Sequence, residues 1–175
     1  MNKNWSKYIL GFLGVLFIRL IPFRAPNIEP ILAAQMPFAR KYGHLASFLF
    51  GFLSIVMYDL LTSGIGSWTM ITAFAYGFLG LGASYFFKNR SGWKNYATYA
   101  VIATILYDAV TGLTVGPIFF DQPFMAALIG QIPFTALHLL GNVSFAIILS
   151  PVIEMWINKE SKTVLSASRK VVLNS

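Results

Sequence analysis

The chain consists of long apolar segments separated by short polar ones, and the apolar segments carry almost no charge. The windows Leu45–Tyr58 and Thr69–Phe87 contain no Lys, Arg, Asp or Glu. A helix needs roughly 20 apolar residues to cross ~30 Å of hydrocarbon, so segments of this kind are typical of membrane-spanning helices. The pattern predicts six spans, at Trp5–Pro22, Ile28–Lys41, His44–Ser63, Ser67–Phe87, Asn95–Thr114 and Phe134–Ile157.

Three segments depart from this regular pattern. The second span is short, about 21 Å if it is wholly helical at ~1.5 Å per residue. Gly116–Phe134 contains three prolines and an apolar run too short to span, which indicates an ordered outer loop or a re-entrant segment. Residues 158–175 are polar and basic, as is typical of a flexible tail. The predicted organisation is therefore a six-helix membrane domain over residues 1–157, followed by a flexible cytoplasmic tail. The predicted fold class is an all-α integral membrane protein.

Composition supports this class of protein. Hydrophobic residues make up 57% of the chain and charged residues only 11%, with a mean hydropathy of +0.67. Soluble domains usually carry about 25% charged residues. The absence of cysteine excludes disulfides and thiolate metal sites. With two histidines, six acidic residues and no HExxH motif, a metalloenzyme is not expected.

The net charge of +7 is explained by the direction of the spans. If both termini are cytoplasmic, every one of the thirteen basic residues except Arg19 and Arg24 falls on the cytoplasmic side. The positive-inside rule expects this asymmetry. We therefore expect a multi-pass protein of a prokaryotic cytoplasmic membrane, in contact with the lipid bilayer and with no nucleic-acid partner.

A Tyr-Asp pair occurs near the outer end of two spans, in "VMYDLLTSG" and in "LYDAVTGLT". Each aspartate, Asp59 or Asp108, lies about one turn from the end of its span and is followed three residues later by a threonine on the same helix face. An isolated carboxylate in hydrocarbon is costly, so each requires a partner or water. Two interpretations stay open. The aspartates cap helix ends or pair with Arg19 and Arg24, or they line a binding cavity.

Other unusual polar residues are expected at the same side of the membrane. His138 and Asn142 are four residues apart and share a helix face. Structural roles stay open here too, because these side chains can bond to carbonyls near Pro133, and Trp68 can belong to an interfacial aromatic belt. Convergence nevertheless predicts a polar cavity that opens outward. Its candidate members are Arg19, Arg24, Asn27, Asp59, Trp68, Asp108, Gln131, His138 and Asn142.

These features together resemble the S components, the substrate-binding membrane subunits of energy-coupling factor (ECF) vitamin transporters. The resemblance covers about Ile9 to Trp156 and rests on the six-span layout and on Phe50–Ala83, "ILYDAVTG" and "QIPFTALHLLGNVSFAIILSPVIE". The last segment is the most specific, with His-Leu-Leu-Gly-Asn after a proline-broken helix entry. The resemblance implies an S-component-like six-helix bundle that binds a vitamin or related micronutrient near its outer face. It also implies a transmembrane coupling subunit and two cytoplasmic ATPase subunits as partners.

The resemblance further implies a binding protein with no catalytic residues, no metal and no cofactor. Asp59, Trp68, Asp108, Gln131, His138 and Asn142 fall where that family contacts its ligand. The first span departs from the family pattern, because Gly11 and Gly14 stand where an Ala-x-x-x-Ala docking surface is usual. These two glycines are the predicted docking residues for the coupling subunit. The small residues of the fourth span, such as Gly77 and Gly80, favour internal helix packing.

Two other functions stay open from the sequence. Structural proteins of cell-wall elongation, of the rod-shape-determining type, share this fold but need no polar cavity. A membrane enzyme would use Asp59 and Asp108 as an acid–base or metal pair. No nucleophile constellation or dense acidic cluster accompanies them, so the enzyme is the least favoured of the three.

Overall fold

The fold is all-α, as the hydrophobic pattern predicted. A computed structural model describes residues 4–22 and 29–173, with side chains to residue 159. The described helices are α1 (Trp5–Leu20), α2 (Ile31–Tyr42), α3 (His44–Leu61), α4 (Ser67–Phe86), α5 (Trp93–Gly112), α6 (Val115–Phe119) and α7 (Phe124–Leu173). Within these described ranges, four segments are long and apolar enough to cross a membrane: His44–Leu61, Ser67–Phe86, Trp93–Phe119 and Phe124–Lys159. Most of their large apolar side chains face outward, as lipid contact requires.

Small residues bring α3 and α4 close together. Gly77 lies against the ring of Phe48, and Ala73 and Ala83 are buried. Gly51 of α3 and Gly80 of α4 both border the amide of Gln35 from α2. Without a side chain at these positions the helix backbones approach closely and gain van der Waals contact. The predicted internal role of the small residues in the fourth span is confirmed.

Helix α2 occupies the centre of the bundle and packs against α1, α3, α4, α5 and α7. Eleven of its twelve residues are buried, and Arg40 is the exception. At 1.5 Å per residue α2 is about 18 Å long, shorter than a bilayer core. Its only polar side chain in mid-helix, Gln35, donates to the backbone carbonyls of Ser47 (2.9 Å) and Tyr76 (3.0 Å). This helix is therefore a core element surrounded by the longer helices.

A proline in α2 leaves one backbone carbonyl without its usual partner, and a side chain of α7 donates to it. Pro37 has no N–H and leaves the carbonyl of Ala33 without its usual partner four residues on. The hydroxyl of Ser150 donates to that carbonyl at 2.7 Å, and Ser150 is completely buried. The proline and the serine together therefore fix α7 against the middle of α2.

We expect Ser150→Ala to lower the free energy of unfolding by ~1–3 kcal/mol, because it leaves a buried carbonyl without a partner. Tryptophan fluorescence during thermal unfolding in detergent micelles measures the loss. Ser144→Ala is the matched control, because Ser144 lies on the exposed side of the same helix. Equal melting midpoints for the two variants would contradict this role.

Helix α7 differs from the sequence prediction at both ends. It begins at Phe124, directly after Pro123, rather than at Phe134, and it passes through Pro133 and Pro151 without a break. Within an apolar bundle, neighbouring groups satisfy the carbonyls that a proline releases, so the helix can continue. The predicted outer loop is correspondingly short and contains α6. Beyond Ile157 the backbone remains helical to Leu173, where the sequence predicted a flexible tail.

Candidate functional site

The bundle has two chemically different ends. At one end, basic residues of α1 and α2 bind α7: Lys7 donates to the Trp156 carbonyl at 2.6 Å, and Lys41 donates to the Ile157 carbonyl. At the other end lie Arg19 near the end of α1, Asp59 near the end of α3 and Asp108 near the end of α5. The structure thus gathers the candidate site residues that it describes at the end remote from these lysines.

Two pairs of polar side chains connect α5 and α7. His138 Nδ1 lies 2.7 Å from Asp108 Oδ1, and Asn142 Nδ2 donates to Thr104 Oγ1 at 2.9 Å. Thr104 and Asp108 are four residues apart on α5, and His138 and Asn142 are four residues apart on α7. Because the two helices are antiparallel, both pairs can form, one helical turn apart. Asp108 and Asn142 are only 1% and 2% exposed. We call these four residues the α5–α7 cluster.

Three polar atoms of the α5–α7 cluster have no hydrogen-bond partner in the described part of the chain. They are Asp108 Oδ2, His138 Nε2 and Asn142 Oδ1. A buried polar atom left in this state costs ~1–3 kcal/mol, so native proteins rarely tolerate several together without a reason. The two oxygens accept hydrogen bonds, and His138 Nε2 donates or accepts according to its protonation. The cluster is therefore suited to hold a small polar group with donor atoms.

Arg19 is the centre of a second polar group. Its guanidinium donates to the Ser54 carbonyl at 2.6 Å and to Glu29 at 3.2 Å, and it lies 4.0 Å above the ring of Tyr58. Its Nε has no partner among the described residues. The sequence suggested an aspartate as the partner of Arg19. That suggestion is wrong for Arg19, because Glu29 occupies the position.

Tyrosines connect the arginine group to the α5–α7 cluster. The hydroxyl of Tyr76 donates to Glu29 at 3.4 Å, and the rings of Tyr76 and Tyr107 are 4.5 Å apart. Tyr107 in turn packs edge-on against the His138 ring at 5.9 Å. Phe134 approaches the same histidine at 5.8 Å. Aromatic rings thus line the region between the two polar groups.

Asp59 has a different role from Asp108. Its carboxylate accepts from Thr69 Oγ1 at 2.6 Å, and the same hydroxyl accepts from the Gly66 backbone N–H at 3.0 Å. The Asp59 backbone carbonyl also accepts from Gly64 at 2.6 Å. These contacts close the turn between α3 and α4. The Asp59 carboxylate thus bonds to Thr69 in the turn between α3 and α4, whereas Asp108 faces a histidine across the bundle.

The repeated threonine of the two Tyr-Asp motifs has a local explanation. Thr62 donates to the Tyr58 carbonyl at 2.7 Å, and Thr111 donates to the Tyr107 carbonyl at 2.8 Å. Each threonine thus bonds back by one turn to the tyrosine of its own motif, near the end of its helix. The threonine thus has the same local contact in both motifs, whereas the surroundings of the two aspartates differ.

Trp68 and Gln131 lie at the margin of this end. Trp68 is half-buried, with its ring 6.2 Å from that of Phe120. Gln131 is half-buried, donates to Thr135 at 3.3 Å and packs against Gly112. Arg24 and Asn27 lie outside the described residues. Neither Trp68 nor Gln131 makes a hydrogen bond or a ring contact with the α5–α7 cluster in the described part of the chain.

The two glycines predicted to dock a partner have different surroundings. Gly11 lies against the ring of Phe38 from α2, whereas nothing lies within 4 Å of the position where Gly14 would carry a side chain. Gly11 therefore makes an internal contact between α1 and α2. Only Gly14 faces away from the bundle, among exposed apolar side chains such as Leu13 and Phe17.

The ionisable groups of the site have little access to solvent. Arg19, Asp108 and His138 are all buried, so these three side chains are shielded from solvent, and the predicted outward opening of the cavity stays a prediction. Sequence reasoning missed Thr104 as a member of the site. Its spacing of four residues from Asp108 was the available signal, and it parallels the spacing of the histidine and asparagine on α7.

Comparison of the chain with models of protein families, with curated proteins and with solved structures finds no match. The fold and the contacts of the buried polar residues therefore carry the functional argument. They define a helical protein with four helices long and apolar enough to cross a membrane and with several buried polar atoms that have no hydrogen-bond partner, all within the described residues.

Proposed function

We propose that the chain is the substrate-binding subunit of an ECF-type importer and that it captures a vitamin or a related micronutrient. The observation that carries this proposal is the α5–α7 cluster, with three buried polar atoms that have no described partner. Ionisable groups inside a membrane protein usually face a substrate or a pathway. A ligand with hydrogen-bond donors would complete the bonding of Asp108 and Asn142 on entering.

The buried site supports a ligand held between two polar groups and aromatic walls. The charged pair of Arg19 and Glu29 would orient one end of the ligand, and the α5–α7 cluster would bind the other. The rings of Tyr76 and Tyr107 would lie between them. Because these residues are buried, binding and release require the outer helix ends to separate. No phosphate-binding Walker motif is present in the sequence, so a coupling subunit and two ATPase subunits would supply the energy.

The proposed topology has six spans with both termini in the cytoplasm. The asymmetric distribution of the basic residues supports it. Because α2 is buried inside the bundle, this short helix does not have to equal the thickness of the bilayer core by itself. The chain has no native cysteine, so introduced thiols report without background. We expect a cysteine at Gln122 to react with an impermeant thiol reagent outside intact cells, and a cysteine at Asn89 to react only after the cells are opened. Equal reaction of both in intact cells would exclude the topology.

Native mass spectrometry of the protein purified from cells grown in rich medium tests the function most directly. We expect a small molecule to co-purify in a one-to-one complex, because a scavenging subunit must bind tightly. Asn142→Ala should weaken its binding by ~1–3 kcal/mol through the loss of a buried amide contact. Asn95→Ala is the control, since this half-buried asparagine donates to the carbonyl of Ser91, just before α5, and lies far from the α5–α7 cluster. A protein that carries no ligand under any growth condition would contradict the proposal.

A structural role in cell-wall elongation is the second candidate, and the burial of the site favours it. The two side-chain pairs of the α5–α7 cluster join helices in the same way as interhelical hydrogen bonds that only stabilise a membrane bundle. The two functions differ in what Asn142→Ala changes. For a structural protein the variant changes thermal stability and partner assembly, and no small molecule is lost from the purified chain.

A further inference from the structure

A cavity of about 240 Å³ lies at the end of the bundle remote from the candidate functional site. It is bounded by the end of α2, the residues after α4, and α7. Three basic side chains, Arg40, Lys41 and Lys88, line it together with a single carboxylate, Glu154. We call it the basic cavity. Its lining carries an excess of positive charge and so attracts anions.

The fold fixes two of these cations at the cavity wall. Arg40 forms an ion pair with Glu154, and Lys41 donates to the carbonyl of Ile157. Both contacts join α2 to α7, so the positions of the two cations depend on the packing of the core. Lys88 lies on the exposed segment after α4, and its ammonium makes no hydrogen bond or ion pair with the described residues. The cation that remains available to an anion is therefore Lys88, on the exposed part of the lining.

We propose that the basic cavity binds a phosphate group, supplied by an anionic lipid headgroup or by a soluble phosphate. A guanidinium presents several N–H groups in one plane, so Arg40 can bind a phosphate oxygen while it remains paired with Glu154. Lys88, also in the lining, supplies the second charge. The Asn158 side chain, also in the lining, adds a neutral polar contact.

The size and the position of the cavity favour a headgroup. A water molecule occupies ~30 Å³ of liquid, so the volume of about 240 Å³ holds a phosphate and a small polar group attached to it. Pockets for larger organic ligands begin near ~300 Å³. Basic pockets between membrane helices on the cytoplasmic side are known to bind acidic headgroups. The proposal does not rest on the proposed function, because no residue of the basic cavity belongs to the candidate functional site.

The test uses the full chain in detergent micelles that contain phosphatidylglycerol or, separately, phosphatidylcholine. Native mass spectrometry measures the lipid retained, and isothermal titration calorimetry measures the binding of inorganic phosphate. Lys88→Gln removes one charge from the cavity. Lys94→Gln is the matched control, because Lys94 is equally exposed near the same end of the bundle and does not line the cavity. Equal melting midpoints of the two variants verify that both remain folded.

We expect the unmodified chain to retain phosphatidylglycerol in preference to phosphatidylcholine. Lys88→Gln should lower that retention about tenfold, as expected for a hydrogen bond to a charged group, and Lys94→Gln should leave it unchanged. Phosphate binding that Lys88→Gln abolishes, with equal retention of both lipids, would support the same site and assign it to a soluble phosphate. Equal retention of both lipids without phosphate binding would overturn the proposal, as would equal effects of the two substitutions.

Discussion

Asp108→Ala is expected to lower the free energy of unfolding by ~3–5 kcal/mol, the largest loss from any single polar residue of the site. Asp108 is 1% exposed and faces His138 Nδ1 at 2.7 Å inside the bundle. Removing the carboxylate leaves His138 Nδ1 buried without its hydrogen-bond partner in a medium of low dielectric constant. Thermal unfolding in detergent measures the loss. Asp108→Asn keeps the shape and one hydrogen-bond acceptor, so it should cost clearly less.

A double-mutant cycle with His138 separates the pair from other effects. If the aspartate and the histidine act on each other, the loss in Asp108→Ala/His138→Ala is smaller than the sum of the two single losses. Asp121→Asn is the control, because Asp121 is an exposed aspartate in the turn between α6 and α7, at a positive φ that asparagine also tolerates. Additive losses in the cycle would mean that the two side chains are neighbours without an energetic interaction.

The same substitutions distinguish binding from stability. Asp108→Asn should lower the affinity for a co-purifying ligand if the ligand requires the charge of Asp108 Oδ2, even where the fold is retained. Asp59→Asn should leave that affinity nearly unchanged, because the Asp59 carboxylate already accepts from Thr69 within the α3–α4 turn. Unchanged affinity in Asp108→Asn, Asp59→Asn and Asn142→Ala together would place ligand binding elsewhere in the protein.

Gly80→Leu is expected to prevent the bundle from folding or to destabilise it by at least ~3 kcal/mol. A side chain at Gly80 would meet the amide of Gln35 and the backbone carbonyl of Ser47. The carbonyl belongs to helix α3 and cannot move aside as a flexible side chain can. The two hydrogen bonds that Gln35 donates would be lost with the displacement. Size-exclusion chromatography and thermal unfolding of the purified variant measure the outcome.

Gly14→Leu is the matched control, because the same change is made in a helix where nothing lies within 4 Å of the new side chain. We expect it to leave the melting midpoint close to that of the unmodified chain. Under the proposed function, Gly14→Leu should instead weaken assembly with the coupling subunit, whereas Gly11→Leu should destabilise α1 against Phe38. A folded, stable Gly80→Leu protein would show that the helices around Gln35 are less closely packed than described.

The hydrophobic pattern predicted α3 and α4 well, because the length of the apolar segment alone determines where each of these helices begins and ends. The third and fourth spans were predicted as His44–Ser63 and Ser67–Phe87, and the helices are His44–Leu61 and Ser67–Phe86. The start of α7 was missed because Pro133 is a strong breaker in water but is tolerated inside an apolar bundle. The pattern also could not indicate that α2 lies in the centre, since that position depends on how five other helices pack around it.

Within the site, helical spacing accounts for what was predictable. His138 and Asn142 share a face by their separation of four residues, and the sequence identified both, together with Asp108. The partner of Arg19 was not predictable in this way, because Glu29 lies in a connecting segment whose path is set by tertiary packing. The burial of Arg19, Asp108 and His138 was not predictable for the same reason. Burial depends on neighbouring helices that a local pattern does not encode.

The central position of α2 has a consequence for the biosynthesis of the protein. The helix is short, carries Gln35 in its middle, and has two basic residues in its last turn. It is therefore poorly suited to remain alone in hydrocarbon. Its Ala33 carbonyl is satisfied by a serine 117 residues further along the chain. That serine leaves the ribosome long after α2 has emerged. We therefore expect α2 to reach its final place only when α7 has been made, so that the last helix completes the insertion of the second.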